Sequence, residues 1–396
     1  MTSVLKPKRG LFYLLVLIHT GVLAQFNEGR LITEHFYTEI PFEYVHDKIV
    51  IEASMNGVSG RYLLDTGAMC ILFKDSTYHK LPAGYRMNIG DATGKKQEAE
   101  VIVMPSITVG ELTYEAIPTL YVDMFEGPFK CLGYKGIIGS NLLRFGAFKI
   151  DWTKQKLIIA DSFQTLRSDK LVESKLLVNK QQSSPFIKVK VNGKPIKWVL
   201  VDTGSGDSFV LNNNTAHWLK KKKVLTKPIY QSSGTNSHGA WGAGDYESEI
   251  FSQLTLKLGH INTENAVIET SAGQSKIGMK VLELGDFILD YPQKRFFFQF
   301  NEPSQLKLDS FGIDFIMDDD KFIVNGIWQG SPAAASGIEK GDILEDIEGA
   351  DMKNKSSCDV FLSLKDVTQN KKTLTFHFIK PHDQSRNTVT LSRIEF

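Results

Sequence analysis

Asp-Thr-Gly occurs twice in this chain, at Asp65-Thr66-Gly67 and at Asp202-Thr203-Gly204. Each copy ends an apolar run: Leu63-Leu64 leads into the first, and Trp198-Val199-Leu200-Val201 into the second. A carboxylate at the end of an apolar strand is costly to ionise unless it is hydrogen-bonded or kept neutral. Two such carboxylates face to face can share one proton, because like charges at contact do not both form. A pair of this kind can hold a water. Its charged member takes a proton from that water, and its neutral member donates a hydrogen bond to a substrate carbonyl. The outcome is general acid–base hydrolysis of an amide, with no metal and no covalent intermediate. Asp65 and Asp202 are therefore the candidate catalytic pair.

The neighbouring residues suit that chemistry. Gly67 and Gly204 have no Cβ, so the backbone can turn sharply and lie close to the opposite loop. Thr66 and Thr203 have hydroxyls that can fix the two loops. The copies differ at the next position, Ala68 against Ser205. A Ser205 hydroxyl bonded to Asp202 would favour its charged form, leaving the shared proton more often on Asp65.

The elements that position these loops repeat as well. "KIVIEASMNGVSGRYLLDTGA" precedes the first copy's end and "FIKVKVNGKPIKWVLVDTGS" the second's. Both read as strand, Asn-Gly turn, strand, since Asn-Gly supplies the positive φ angles of a tight hairpin. A Gly-rich hairpin follows in each half, Asn88 to Lys96 and Ser232 to Tyr246, and could close over a substrate. Trp241 and Tyr246 of the second hairpin read as packing or surface aromatics. Each half then closes alike: at a constant shift of 139, Gly139, Leu143, Phe148, Asp151 and Trp152 match Gly278, Leu282, Phe287, Asp290 and Tyr291. The two aspartates themselves lie 137 positions apart. The expected fold is mostly β: two homologous β lobes forming one cleft, followed by a module that does not repeat. The predicted boundaries are 1–24 leader, 25–169 first lobe, 170–303 second lobe and 304–396 C-terminal module.

Bulk properties narrow the class. In 396 residues, 42% are hydrophobic and 23% charged, and the formal net charge is +1. No global field argues for nucleic acid or an anionic membrane as a partner. Lys6, Lys8 and Arg9 precede an apolar stretch, Leu11 to Leu23, and a small-residue site ending at Ala24. This is a secretory leader pattern, implying an exported chain without stable membrane insertion after cleavage: periplasmic, cell-surface or extracellular, with a bacterial look. Of three cysteines, Cys70 and Cys131 fall in the same half, so one bridge between them is open, as are free buried thiols. No Cys or His spacing resembles a metal site, and no cofactor is expected.

With these residues in view, 47–300 resembles a two-lobed aspartic peptidase of the pepsin and retropepsin superfamily. The residues carrying the resemblance are Asp65-Thr66-Gly67-Ala68 and Asp202-Thr203-Gly204-Ser205, with the apolar-apolar-Gly element Ile137-Ile138-Gly139 and its looser copy Lys276-Ile277-Gly278. It implies acid-protease-like lobes, a catalytic Asp65/Asp202 dyad and a protein or peptide substrate. Lys276 departs from the family, which carries an apolar residue there. The last hundred or so residues resemble a PDZ domain, a small β barrel with two helices, on Phe311-Gly312-Ile313 and "GSPAAASGIEKGDILEDIEG" (Gly330 to Gly349). That resemblance implies a loop, Phe311 to Ile313, that binds the C-terminus of a peptide. A non-catalytic peptide-binding or chaperone-like protein is the competing reading.

Overall fold

The computed structural model describes residues 26–75, 81–123, 128–166, 172–232, 234, 238–244, 246–258, 261–300, 309–318, 321–368 and 370–395. The predicted leader, 1–24, lies outside the described residues, as do both predicted inter-domain boundaries. Strands dominate what is described, and among those residues no helix is long and apolar enough to cross a membrane.

Each half contains the predicted hairpin. Strands Lys48–Met55 and Val58–Asp65 join through Asn56-Gly57, with φ of 50° and 82°. Pro185–Val191 and Lys194–Val201 join through Asn192-Gly193, with φ of 44° and 77°. Side chains alternate between faces as a strand's period of two requires. Tyr62 and Leu64 enter the large central core, whereas Val50 and Leu63 enter a second cluster on the other face.

A short third strand then locks the end of each aspartate strand. Gly136–Gly139 runs parallel to Val58–Asp65, with Asp65 opposite Gly139, and antiparallel to Ile71–Phe73. It is thus threaded between the two arms of the Asp65 loop. The threading leaves no room for a side chain: a Cβ on Gly139 would lie 2.6 Å from the Ala68 carbonyl oxygen. In the second half Lys276–Ile277 does the same between Lys194–Val201 and Phe209–Asn212. Ile71 faces Ile137, and Val210 faces Lys276. The second loop therefore holds two more residues than the first, which explains why the shift between the copies changes from 137 to 139 along the chain.

The closing strands bring the halves together. Ala147–Asp151 pairs antiparallel with Gly285–Asp290, Ala147 opposite Asp290 and Ile150 opposite Phe287. Phe148 and Phe287, matched in the repeat, meet edge-on at 6.3 Å in this shared core. The matched buried aspartates each have a cation: Lys149 reaches Asp151 at 3.1 Å, and Arg295 reaches Asp290 at 2.7 Å.

The C-terminal module has its own core, including Val324, Leu344, Ile347, Val360, Leu374, Phe376 and Phe378. It is fastened to both halves. Strand Lys321–Gln329 pairs with Tyr230–Ser232 of the second half, and Trp328 is buried there against Ile250 and Val267. Helix Ser357–Thr368 docks on the first half. Its Cys358 forms a disulfide with Cys131, Phe361 stacks on His46 at 4.8 Å, and Lys365 pairs with Asp47 at 3.2 Å. Spacings of three and four place these three residues on one helix face. The bridge considered within the first half is thus replaced by one spanning 227 positions. Cys70 is a buried free thiol whose sulfur accepts the Gly139 N–H at 3.5 Å.

Candidate active site

The two Asp-Thr-Gly loops meet through their threonines. The Thr66 N–H donates to Thr203 Oγ1 at 3.0 Å, and the Thr203 N–H donates to Thr66 Oγ1 at 3.0 Å. Each hydroxyl then passes its proton into the other half. Thr66 Oγ1 donates to the Val201 carbonyl at 2.5 Å, and Thr203 Oγ1 to the Leu64 carbonyl at 2.8 Å. Both threonines are fully buried, so these bonds use hydrogen-bonding capacity that water cannot reach. A β-branched side chain with few rotamers holds such a crossing better than a flexible one.

This crossing sets the carboxylates. Asp65 Oδ1 accepts the N–H groups of Gly67 and Ala68 at 2.7 and 3.1 Å. Asp202 Oδ1 accepts the Gly204 N–H at 3.1 Å. Each carboxylate also lies against the other loop's glycine. A Cβ on Gly67 would sit 2.7 Å from Asp202 Oδ1, and one on Gly204 would overlap the Asp65 carboxylate. Burial, and then the charge of Asp202, push Asp65 up to about 7; the Gly67 and Ala68 N–H groups and Lys48 act against the rise. The pair is thus built to keep a proton on Asp65 at pH values where an ordinary carboxyl has lost it.

Ser205 does not act as the sequence suggested. Its hydroxyl donates to Asp207 Oδ2 at 2.7 Å, not to Asp202. Asp207 belongs to the two-residue expansion of the second loop and also pairs with Lys276 Nζ at 2.8 Å. Lys276 and Lys48 hold the Asp207 carboxyl well below the usual range against the cost of burial, and Asp207 in turn raises the Lys276 ammonium. The cation that departs from the family pattern is thus neutralised by an acid from the longer loop.

Two further residues touch the loops. Lys48 Nζ donates to the Gly204 carbonyl at 2.7 Å, and Gln182 Nε2 donates to the Gly67 carbonyl at 2.9 Å. Gly67 and Gly204 are equivalent positions, and each is held by a side chain from the opposite half. The repeat hides this, since one donor is a cation and the other an amide.

The Gly-rich hairpins also meet. Asp91 Oδ1, at the first tip, accepts from the Thr93 and Lys95 N–H groups, while Asp91 Oδ2 accepts the Trp241 N–H at 2.9 Å. The Trp241 indole N–H donates to the Ile89 carbonyl at 3.3 Å. Trp241 is thus a tip-to-tip contact rather than a surface aromatic.

Phe311, Gly312 and Ile313 belong to the C-terminal module. Phe311 lies under the Arg393 guanidinium at 4.7 Å and edge-on to Phe376. Gly312 has φ of 81°, its N–H bonds Ser310 Oγ at 2.9 Å, and Ile313 is buried opposite Ile327. Among the described residues, no group of three or more His, Cys, Asp or Glu side chains is placed to hold a metal ion.

The acid–base balance has a consequence for stability. Burial raises Asp65 and Asp314 to about 7, and Glu269 to about 8. Native proteins with raised carboxyl pKa values bind more protons than the unfolded chain between the two pKa values. Their contribution is therefore present below about pH 4 and lost as pH rises through 7 to 8. Urea midpoints are expected to fall from pH 4 to 8, and Asp65→Asn to flatten that fall. An Asp65→Asn chain with an unchanged slope would show that Asp65 titrates normally.

Residues 51–142, which hold the first loop and its threaded strand, match the family model described as aspartyl protease. No curated protein matches the chain. Among solved structures, basic 7S globulin from soybean is similar at 13% identity and a TM-score of 0.43, over 69% of this chain and 96% of that one.

Proposed function

We propose that the chain is an exported aspartic endopeptidase whose Asp65 and Asp202 act as one proton-sharing dyad. The reciprocal threonine bonds carry this reading, because they hold each carboxylate over the opposite loop's glycine. Asp65, raised by burial, is the member that keeps the proton and donates to the substrate carbonyl oxygen. Asp202 takes the proton of a water held between the two. That water attacks the carbonyl carbon; the tetrahedral intermediate then collapses as Asp202 passes its proton to the leaving amine nitrogen and a hydroxyl of the intermediate returns one to Asp65. The meeting hairpins Tyr85–Gly90 with Lys96–Val109, and His238–Gly239 with Gly242–Ala243, would cover an extended peptide.

The C-terminal module is read as a PDZ domain. Support comes from its strand order, the helix Ser357–Thr368 and the positive-φ glycine after Phe311. A peptide carboxylate at Phe311, Gly312 and Ile313 would replace the Ser310 hydroxyl on the Gly312 N–H. Export is supported by the leader pattern and by a disulfide, which persists in oxidising compartments.

The test is incubation of the mature chain with unfolded proteins from pH 3 to 8, with and without a statine-type inhibitor. Cleavage that the inhibitor abolishes is expected. Peptide binding without cleavage at any pH would instead make this a peptide-binding protein.

A further inference from the structure

The donors to the two glycine carbonyls differ in one respect that matters for the acids beside them. Gln182, from the second half, is neutral, whereas Lys48, from the first, brings a cation to the loop of Asp202. Lys48 is half-buried, and a Cβ on Gly206 would lie 3.6 Å from its ammonium. It follows a two-residue turn, His46-Asp47, with φ of 48° and 59°, closed by Val45 opposite Lys48. Non-glycine residues adopt that geometry at a cost. Phe361 stacked on His46 and Lys365 paired with Asp47 hold the turn from the outside.

We propose that Lys48 is a positioning residue that holds Gly204 against the dyad and, as a cation beside it, sets the pH range of the site, with Gln182 as its uncharged counterpart. The proposal rests on reading Asp65 and Asp202 as a dyad. The charged groups facing Lys48 are Asp65 and Asp202, Asp207 from the longer second loop, and Asp47 from its own turn. Asp207 is paired with Lys276, and Asp47 with Lys365. Lys276 also faces Asp202, whereas Lys48 is the cation that acts on Asp65. A nearby cation lowers the pKa of a carboxylate. Removing it moves both ionisations of the pair to higher pH.

The test is aspartate carboxyl titration by carbon-13 NMR on the full chain, from pH 3 to 9, with pH–rate profiles on an unfolded protein substrate in parallel. In Lys48→Met the titration midpoints of the pair are expected to rise by about one unit. Lys48→Arg is expected to stay near the wild type. Gln182→Met removes a hydrogen bond but no charge, so its midpoints stay in place. Gln182→Lys adds a second cation and lowers them, and it keeps the proposal testable if Lys48→Met fails to fold. Midpoints unmoved in Lys48→Met, or moved as far in Gln182→Met, would overturn the proposal. Shifted midpoints in a chain that cleaves nothing would sink the peptidase reading and leave the role of Lys48 standing. Cleavage with an unshifted Lys48→Met profile would do the reverse.

Discussion

Asp65→Asn and Asp202→Asn are each expected to lower kcat/KM by about a thousandfold or more, and the double substitution to lower it little further. The first figure follows from the size of general acid–base effects, the second from two groups acting as one unit. Asparagine matches aspartate in shape, and its Oδ1 still accepts the N–H groups of Gly67 and Ala68, or of Gly204. What it loses is the proton chemistry. Position 65 can no longer give up the proton that burial and Asp202 keep on it, and position 202 can no longer accept one from water. The fold should survive, because each change removes a carboxylate that is costly to bury. Cleavage rates beside urea unfolding curves check both statements. A single mutant that keeps wild-type activity would mean that the loops do not act as a pair.

Thr203→Val carries the second large effect, on stability. The Thr203 hydroxyl accepts from the Thr66 N–H and donates to the Leu64 carbonyl, and both partners are in the first half. Valine preserves volume and branching but leaves those two groups unpaired where water does not reach. At about 1–3 kcal/mol for each stranded group, the loss should be about 3 kcal/mol, read from denaturant unfolding. Thr203→Ser keeps the hydroxyl and should recover most of it. A Thr203→Val chain as stable as the wild type would show that the crossing bonds are replaceable. Activity should fall with stability, since the same bonds place the glycines under the carboxylates.

The hairpins, the glycine-threaded strand and the matched closing strands were legible because each depends on local chemistry repeated twice. Asn-Gly turns, alternating apolar residues and Gly139 with Gly278 carry that information in short segments. What the sequence hid depends on reach across the halves. Lys48 and Gln182 lie 156 and 115 positions from the carbonyls they hold, and no local pattern marks either. The motif pattern puts the Ser205 hydroxyl on Asp202, the acid of its own Asp-Thr-Gly, but the longer second loop turns it to Asp207. That length was visible as the change of shift from 137 to 139, and an acid inside the expansion opposite the aberrant Lys276 was a signal that could have been followed. Cysteine pairing had no such signal, because spacing does not encode which thiols the fold brings together.

The bridge between Cys131 and Cys358 changes what a chain break means. It closes residues 131–358, the whole second half among them, into one covalent ring. A cut within that ring opens it but releases nothing. The C-terminal module stays tethered to the half that carries Asp65, and the nicked chain runs as one species until it is reduced. Clipping between the second half and the module therefore frees no soluble module by itself. Only a cut paired with reduction separates the two, so the integrity of this molecule is written in two chemistries, peptide and thiol, that fail independently.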